Sequence, residues 1–419
     1  MYTVQKLPSG LRIVTAPIEG TASATVMIFA GAGSRYEIDK ERGISHFLEH
    51  MFFKGGRRYK NTKEVSAAID GVGGEFNAFT GKEYAGYYVK TAAEQTELAM
   101  DVLSDMLLYA TFPQEEIEKE RGVIMEEERM YQDTPMYRAG WDFEEVLYGD
   151  HPLGWDTIGK ETVIRSVNQG DFQKHKDELY SAENLVVTFA GKVTPEQALA
   201  LTEKYLGPLT GKHTRGFEAL KTYGDKKVFL RTKNTEQAHL VLGVPGVSSL
   251  DPRHFSHKIL SVILGGNMSS RMFLNIREAR GLCYYIATET DSYLDAGSLT
   301  TRAGVDQSRL HEAIKYIRHE YDECAAHGVT DEEMTRAKAY LKGKITLSLE
   351  DSEERAHFYG KQLLLYPKIR DIGEYMKLID GVKKDQVNAL AKELLKPEEL
   401  RLVVIGKEES EGTLMKLLA

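Results

Sequence analysis

The sequence predicts an α+β chain built from two related domains, and three observations carry that expectation. At 419 residues the chain is about two to four times the usual domain size. Asn184-Leu-Val-Val-Thr-Phe-Ala-Gly-Lys192, followed by a helix from Thr194 to Leu206, is matched by Leu400-Arg-Leu-Val-Val-Ile-Gly-Lys407 and a short helix after it. The two Gly-Lys pairs stand 215 residues apart, close to half the chain. The halves also open alike: a strand at 238–243 leads into a helix at 254–264, as a strand at 22–29 leads into a helix at 41–54. Two matches in register point to a duplication.

Each element has a local reason. Leu11 to Val14 suit a strand, and the apolar run ASATVMIF from Ala22 to Phe29 suits a half-buried one, closed by Gly31-Ala-Gly. Residues 41–54 read as a helix rich in His, Glu and aromatic side chains. Thr62 to Ile69 form a shorter helix, ended by Gly71, Gly73 and Gly74. Glu75–Phe79 and Tyr84–Val89 pair as a hairpin, with Thr80-Gly81-Lys82 in its turn. In 93–110, Leu98, Val102, Leu103, Met106, Leu107 and Ala110 recur at helical spacing and predict a core-facing stripe. A long charged helix starts at about Pro113, which suits a first helical turn, and stops or kinks before Pro135. The polar stretch from Pro208 to Gly216 reads as a linker. The expected division is therefore a first domain at 1–212, a linker at 213–225 and a second domain at 226–419.

Composition narrows the class. Hydrophobic residues at 42% and charged residues at 28% suit a globular protein with a proper core. No apolar run approaches the ~18 or more residues of a membrane span. Met1-Tyr-Thr-Val-Gln-Lys lacks the basic-then-apolar plan of an export signal, which predicts a cytoplasmic chain. Two cysteines, Cys283 and Cys324, make neither a disulfide framework nor a four-thiolate zinc site. A net charge of −9 repels nucleic acid and anionic membrane.

The sharpest motif is His46-Phe-Leu-Glu-His50 on the helix at 41–54. Residues i and i+4 lie on one helix face, so both imidazoles can reach one zinc at about 2.0–2.1 Å. Glu49 projects toward the same side, where a carboxylate can take a proton from water at the metal. An amphipathic helix with two incidental histidines is the bland alternative. Zinc hydrolases use three protein ligands plus water, so one more ligand must come from elsewhere. In Glu120-Arg-Gly-Val-Ile-Met-Glu-Glu127, Glu120 and Glu127 are seven residues apart and share a helix face. One can ligate while the other orients a ligand. Nine glutamates fall between 115 and 145, and most of them must be solvated.

This order of His and Glu marks the inverzincins, and the pattern resembles the pitrilysin family, which includes insulin-degrading enzyme and the mitochondrial processing peptidase. The family's third ligand lies in a Glu-Arg-x-Val-Ile-x-x-Glu segment, at the separation of 76 residues found here between His50 and Glu127. The resemblance implies Glu127 as the ligand and Glu120 as the supporting acid. Glu126 is the neighbour to mistake for it, but it points about 100° away on a helix. Gly73-Gly-Glu-Phe-Asn-Ala-Phe-Thr80 resembles the strand on which the family binds substrate by β-addition, which implies substrate contacts at Asn77 and, through its backbone, Ala78. Without the family, an ordinary hairpin strand accounts for it. Arg277 and Tyr284 match the family's Arg and Tyr seven residues apart, a cation and a phenol that can hold the substrate and its developing oxyanion. The bland alternative is a surface arginine and a core tyrosine, and Arg280 is the competing cation. His254-Phe-Ser-His257 stands at the repeat position of the motif helix without a glutamate base, and reads as the non-catalytic half of the duplication.

The resemblance implies a zinc metalloendopeptidase with one Zn2+ per chain, held by His46, His50 and Glu127, with Glu49 as base. Each domain is expected to be an antiparallel sheet backed by helices, the two forming half of a clamshell. Arg277 and Tyr284 come from the second domain, so catalysis is expected to require the halves to close. The substrate is a peptide or unfolded segment, with no nucleic acid or membrane partner. Homodimerisation around an enclosed chamber is expected. The alternatives are a catalytic subunit paired with an inactive homologue and a non-catalytic scaffold of the same fold.

Overall fold

Two strands buried on both faces organise the first half of the chain. Ser23–Ala30 and Leu185–Gly191 read SATVMIFA and LVVTFAG, nearly without polar residues, because no side of them meets water. The computed structural model describes residues 2–408 and 410–418. In chain order its strands are β1 (Thr3–Lys6), β2 (Arg12–Pro17), β3 (Ser23–Ala30), β4 (Glu75–Thr80), β5 (Ala85–Ala92), β6 (Leu185–Gly191), β7 (Val228–Thr232), β8 (Gln237–Pro245), β9 (Cys283–Ser292), β10 (Gly297–Asp306) and β11 (Arg401–Gly406).

The strands form two sheets of the same plan. The first runs β1-β2-β6-β3-β5-β4 and the second β7-β11-β8-β10-β9. Setting β2, β6, β3, β5 and β4 against β7, β11, β8, β10 and β9 reproduces every neighbour, so the duplication extends beyond the two segments visible in the sequence. The sheets are antiparallel except for one parallel pair in each, β2 with β6 and β7 with β11, again at matching places. The fold is thus mixed α+β with two related domains.

The chain divides into two compact units that do not follow the halves of the sequence. The first contains Met1–Glu128, Asp156–Glu218 and Ile345–Asp371; the second contains Arg129–Trp155, Ala219–Lys344 and Ile372–Ala419. The main break, at Glu218/Ala219, falls inside the expected linker, but two segments sit in the unit opposite to their place in the sequence. Each brings a helix that covers a sheet. Ser352–Leu365 packs across β2, β3 and β6. There Ser352 Oγ lies 2.8 Å from Thr25 Oγ1, and a Cβ on Gly360 would stand 2.2 Å from the Phe29 ring. Thr25 and Phe29 lie on one face of β3. In the second unit Pro135–Tyr148 packs on β8 and β11. Its buried Asp142 accepts from Arg138 Nε at 2.8 Å and from Arg231 Nε and Nη2 at 2.8 and 2.7 Å. A carboxylate removed from water requires such partners. Phe143 of this helix fills the space beside Gly243 of β8.

The expected linker is not loose at its start. Arg215 pairs with Glu41 and with Glu178, and the Phe217 ring meets Tyr36 edge-on at 5.4 Å with the Arg35 guanidinium 3.9 Å from its centre. The helix expected over 41–54 is shorter, Ile44–Phe52. Asp39–Glu41 form a separate tight turn, and Gly43 between them takes φ 96°, a left-handed conformation where a Cβ would also stand 2.2 Å from the Ile158 carbonyl oxygen. The charged helix spans Gln114–Asp133 and does end ahead of Pro135, which starts the next helix. No described helix is long and apolar enough to cross a membrane.

Candidate metal centre

The motif helix Ile44–Phe52 is amphipathic in the way its sequence demands. Ile44, Phe47, Leu48, Met51 and Phe52 are buried, with Phe47 against Phe172 at 4.9 Å and Phe52 against Tyr180 at 5.1 Å between ring centres. His46, Glu49 and His50 are left on the half-buried side. The N-terminus of the helix is held by Glu37, whose carboxylate accepts from Gly43 N and from Ser45 N, both at 2.8 Å. Ser45 Oγ in turn lies 3.1 Å from the buried His175 Nε2. Burial pushes the Glu37 carboxyl up to about 7, against the backbone hydrogen bonds that pull it down.

The long helix Gln114–Asp133 brings the acids. Ile117, Glu120 and Ile124 face inward, and Glu127 continues that row one turn on. His46 Nε2 and His50 Nε2 are 3.3 Å apart, and Glu127 Oε2 lies 3.8 Å from each. Four ligands at about 2.0–2.1 Å in a tetrahedron stand about 3.3–3.4 Å from one another. The triangle found here is therefore close to the size a zinc-like cation requires. His46, His50 and Glu127 are the one such group among the described residues, with ligand atoms all within 4.8 Å. Glu126 is exposed and lies outside it.

The electrostatics favour a cation too. Burial drives His46 down to about 3, with His50 adding to the effect, so its ring is neutral and able to donate a lone pair. Its buried Nδ1 has no hydrogen-bond partner among the described residues. Burial raises Glu127, and it raises Glu49 as well, against the pull of Thr80 and His50. One Glu49 oxygen is buried without a partner among the described residues. For His50 burial opposes the proton, but Glu120 outweighs it and the pKa rises. Glu120 Oε1 lies 2.8 Å from His50 Nδ1, and Glu120 Oε2 lies 2.5 Å from Lys54 Nζ. Carboxylates with unspent oxygens around two imidazoles fit a bound cation. Glu49, one turn position from the ligands and not among them, can hold a proton beside it.

The remaining predicted residues fall into two places. Asn77 and Ala78 lie on β4, the edge of the first sheet, where β5 alone among the described residues pairs with it. Asn77 is exposed, and its Oδ1 accepts from the Ala78 N–H at 2.9 Å. Phe76 of the same strand meets Phe53 at 5.8 Å. Arg277 and Tyr284 belong to the second unit. The Arg277 guanidinium lies 4.7 Å from the centre of the Phe273 ring, and Tyr284 at the start of β9 is 76% exposed, so it is no core tyrosine. Arg280 is engaged elsewhere, donating to the Asn275 carbonyl and lying over Tyr316. Sequence reasoning missed Glu37 and Lys54. Lys54 had a signal, the same four-residue step from His50 that joins His46 to His50; Glu37 had none, because its reach to the helix depends on the intervening turn.

The chain is similar to known proteins over nearly its whole length. A family model described as Insulinase (Peptidase family M16) matches residues 12–158, which hold His46, Glu49, His50 and Glu127. A second, described as the peptidase M16 inactive domain, matches residues 166–341, which hold Arg277 and Tyr284. The chain is 35% identical over 406 residues to the uncharacterized zinc protease YmxG of Bacillus subtilis (strain 168), covering 97% of each. It is 36% identical over 400 residues to an uncharacterized zinc protease of Streptomyces coelicolor, covering 93% of this chain and 86% of that one. Among solved structures, a peptidase M16 inactive domain from Pseudomonas fluorescens superposes with a TM-score of 0.91 at 17% identity, covering 98% of each chain. A protease from Helicobacter pylori superposes with a TM-score of 0.89 at 21% identity, covering 97% of this chain and 99% of that one. At those identities the likeness is one of fold.

Proposed function

This chain belongs to the insulinase family, peptidase family M16, and from that premise we propose that it is a zinc-dependent endopeptidase acting on peptides or unfolded polypeptide segments. The observation that carries the reading is the triangle of His46 Nε2, His50 Nε2 and Glu127 Oε2 with Glu49 on the same helix. Relatives named zinc proteases over nearly the whole chain support it.

In this reading His46, His50 and Glu127 hold one zinc per chain. Bound there, the ion supplies Lewis acidity toward the scissile carbonyl and makes a nearby water easier to deprotonate. Glu49 accepts the proton of the attacking water and returns it to the departing amine nitrogen. Burial, which raises Glu49, favours its holding that proton between the two transfers. Glu120 orients His50 through Nδ1. The open edge of β4 at Asn77 and Ala78 offers main-chain N–H and C=O groups to an extended peptide, which accepts many sequences because it reads backbone. Arg277 and Tyr284 hold the substrate and the oxygen on which charge develops. The working form is a homodimer around an enclosed chamber.

Glu49→Gln tests the reading. Purified chain should carry about one zinc and cleave a quenched peptide, and the variant should keep zinc while turnover falls by about 10²–10⁴-fold. Zinc bound with full activity in the variant would remove Glu49 from the mechanism. A second reading is supported by the inactive-domain match over residues 166–341: the chain is one member of a pair with a homologue that lacks the motif. Zinc without hydrolysis until such a partner is added would favour it, and the mass in solution separates the two assemblies.

A further inference from the structure

Glu120 divides its two carboxylate oxygens between two residues one helical turn apart. Oε1 lies 2.8 Å from His50 Nδ1 and Oε2 lies 2.5 Å from Lys54 Nζ. Lys54 follows His50 by four residues, just beyond the end of the motif helix, where its N–H donates to the Met51 carbonyl and continues the helical path. Both side chains of the pair are shielded, Lys54 at 16% and Glu120 at 9% exposure, so solvent screens their attraction less than it would a surface pair.

We propose that Lys54 is a positioning residue of the metal centre, fixing Glu120 in the orientation that draws the His50 proton to Nδ1 and leaves Nε2 free for the cation. The proposal rests on the peptidase reading, in that it takes His50 as a ligand. A neutral imidazole carries one N–H, and the partner of one nitrogen decides which nitrogen is left to bind metal. A carboxylate only accepts, so Glu120 selects the Nδ1–H form. A glutamate on a helix can rotate about three side-chain bonds, and an anchor on its second oxygen stops that rotation. Lys54 also offsets the charge of a carboxylate that stands close enough to Glu127 to raise it. A hydrogen-bonded outer partner of this kind is typically worth 10–100-fold in metal affinity.

The test is a double-mutant cycle on zinc affinity, measured by competition with a chelator of known strength, for wild type, Lys54→Met, Glu120→Gln and the double variant. Melting of each metal-free form checks folding. Lys54→Met is expected to weaken zinc about tenfold, Glu120→Gln at least as much, and the double variant no more than Glu120→Gln alone. Lys54→Arg, which keeps the charge at the end of the helix, is expected to recover most of the loss, and it serves if the Met variant does not fold. Zinc affinity that is indifferent to Lys54→Met, losses that multiply in the double variant, or an Arg variant as weak as Met would overturn the proposal while leaving the peptidase reading intact. A wild-type chain that takes up no zinc overturns both.

Discussion

The helices Ile44–Phe52 and His254–Gly265 follow equivalent strands, β3 and β8, of two sheets with the same plan, and each carries two histidines. Among the described residues, only the first belongs to a group that could hold a metal ion. In the first, spacing of i and i+4 puts His46 and His50 on the half-buried side, where Glu127 meets both. In the second, His254 and His257 are three apart, the intervening residues are Phe255 and Ser256, and ten of the helix's residues are buried. His257 is 0% exposed and lies against Gly246, with both ring nitrogens buried and without a hydrogen bond among the described residues. A histidine becomes a ligand when a carboxylate and an open face come with it; the same residue sealed in a core is an apolar wedge with a desolvation cost. Duplication supplied the scaffold twice, and the chemistry depends on what surrounds one turn of helix.

The largest effect that could break this contrast belongs to Glu127. Glu127→Gln should weaken zinc by more than the ~100-fold ceiling for an outer partner, whereas Glu126→Gln should leave it unchanged and replacing His254 and His257 together should not alter the zinc content. Equal losses for Glu126 and Glu127, by chelator competition, would undo the assignment of the third ligand.

A smaller effect sharpens the other side of the comparison. Burial drives His257 down to about 3, with Lys258 adding to it, Asp251 opposing and Arg253 reinforcing. Its folded pKa thus lies below the ordinary unfolded value of about 6.5. Above that pH neither state binds the proton and the group is neutral to stability. As pH falls from 6.5 toward 3 the unfolded chain takes up a proton that the folded one refuses, and stability drops by about 1.4 kcal/mol per pH unit. Urea unfolding of the metal-free chain between pH 6 and 4.5 should therefore be less steep with pH in His257→Gln than in wild type. Parallel pH dependences would show that His257 is not the sealed, neutral group described.

Smallest is the cap. Glu37→Gln weakens the acceptor of Gly43 N and Ser45 N at the start of the motif helix and should cost about 1 kcal/mol, within the range for helix N-terminal caps. In the counterpart helix of the second unit Asp251 Oδ1 accepts from the N–H of Arg253, at the same place, at 2.7 Å. Thermal melting of the metal-free protein reads the loss, and an unchanged melting temperature would mean that water serves these donors equally well.

The local parts of the site were legible in the sequence because helical phase is local: His46, Glu49, His50 and the row Glu120–Glu127 follow from spacing alone, and Glu126 drops out by the same rule. Which acid ligates was not legible from phase, and came from the resemblance of Glu120-Arg-Gly-Val-Ile-Met-Glu-Glu127 to a family. The expected helix started too early, at residue 41, because of Gly43, whose left-handed turn separates Asp39–Glu41 from the helix proper. The division near residue 212 rested on the repeat, and a repeat is blind to long-range exchange: nothing in Ser352–Leu365 announces that its Gly360 will lie on Phe29, nor in Pro135–Tyr148 that Asp142 will meet Arg231. Glu37 and Lys54 act through tertiary contacts for the same reason.

That exchange of covering helices also sets a clock. The six strands of the first sheet have all been made once residue 191 emerges, yet the β3 face bearing Thr25 and Phe29 has no lid until Ser352–Leu365 follows. At about 5–20 residues per second of synthesis, the interval is roughly 10–35 s. For that time a nascent chain carries a bare apolar sheet, a surface suited to holding by a chaperone or to mispairing with a neighbouring chain on the same message.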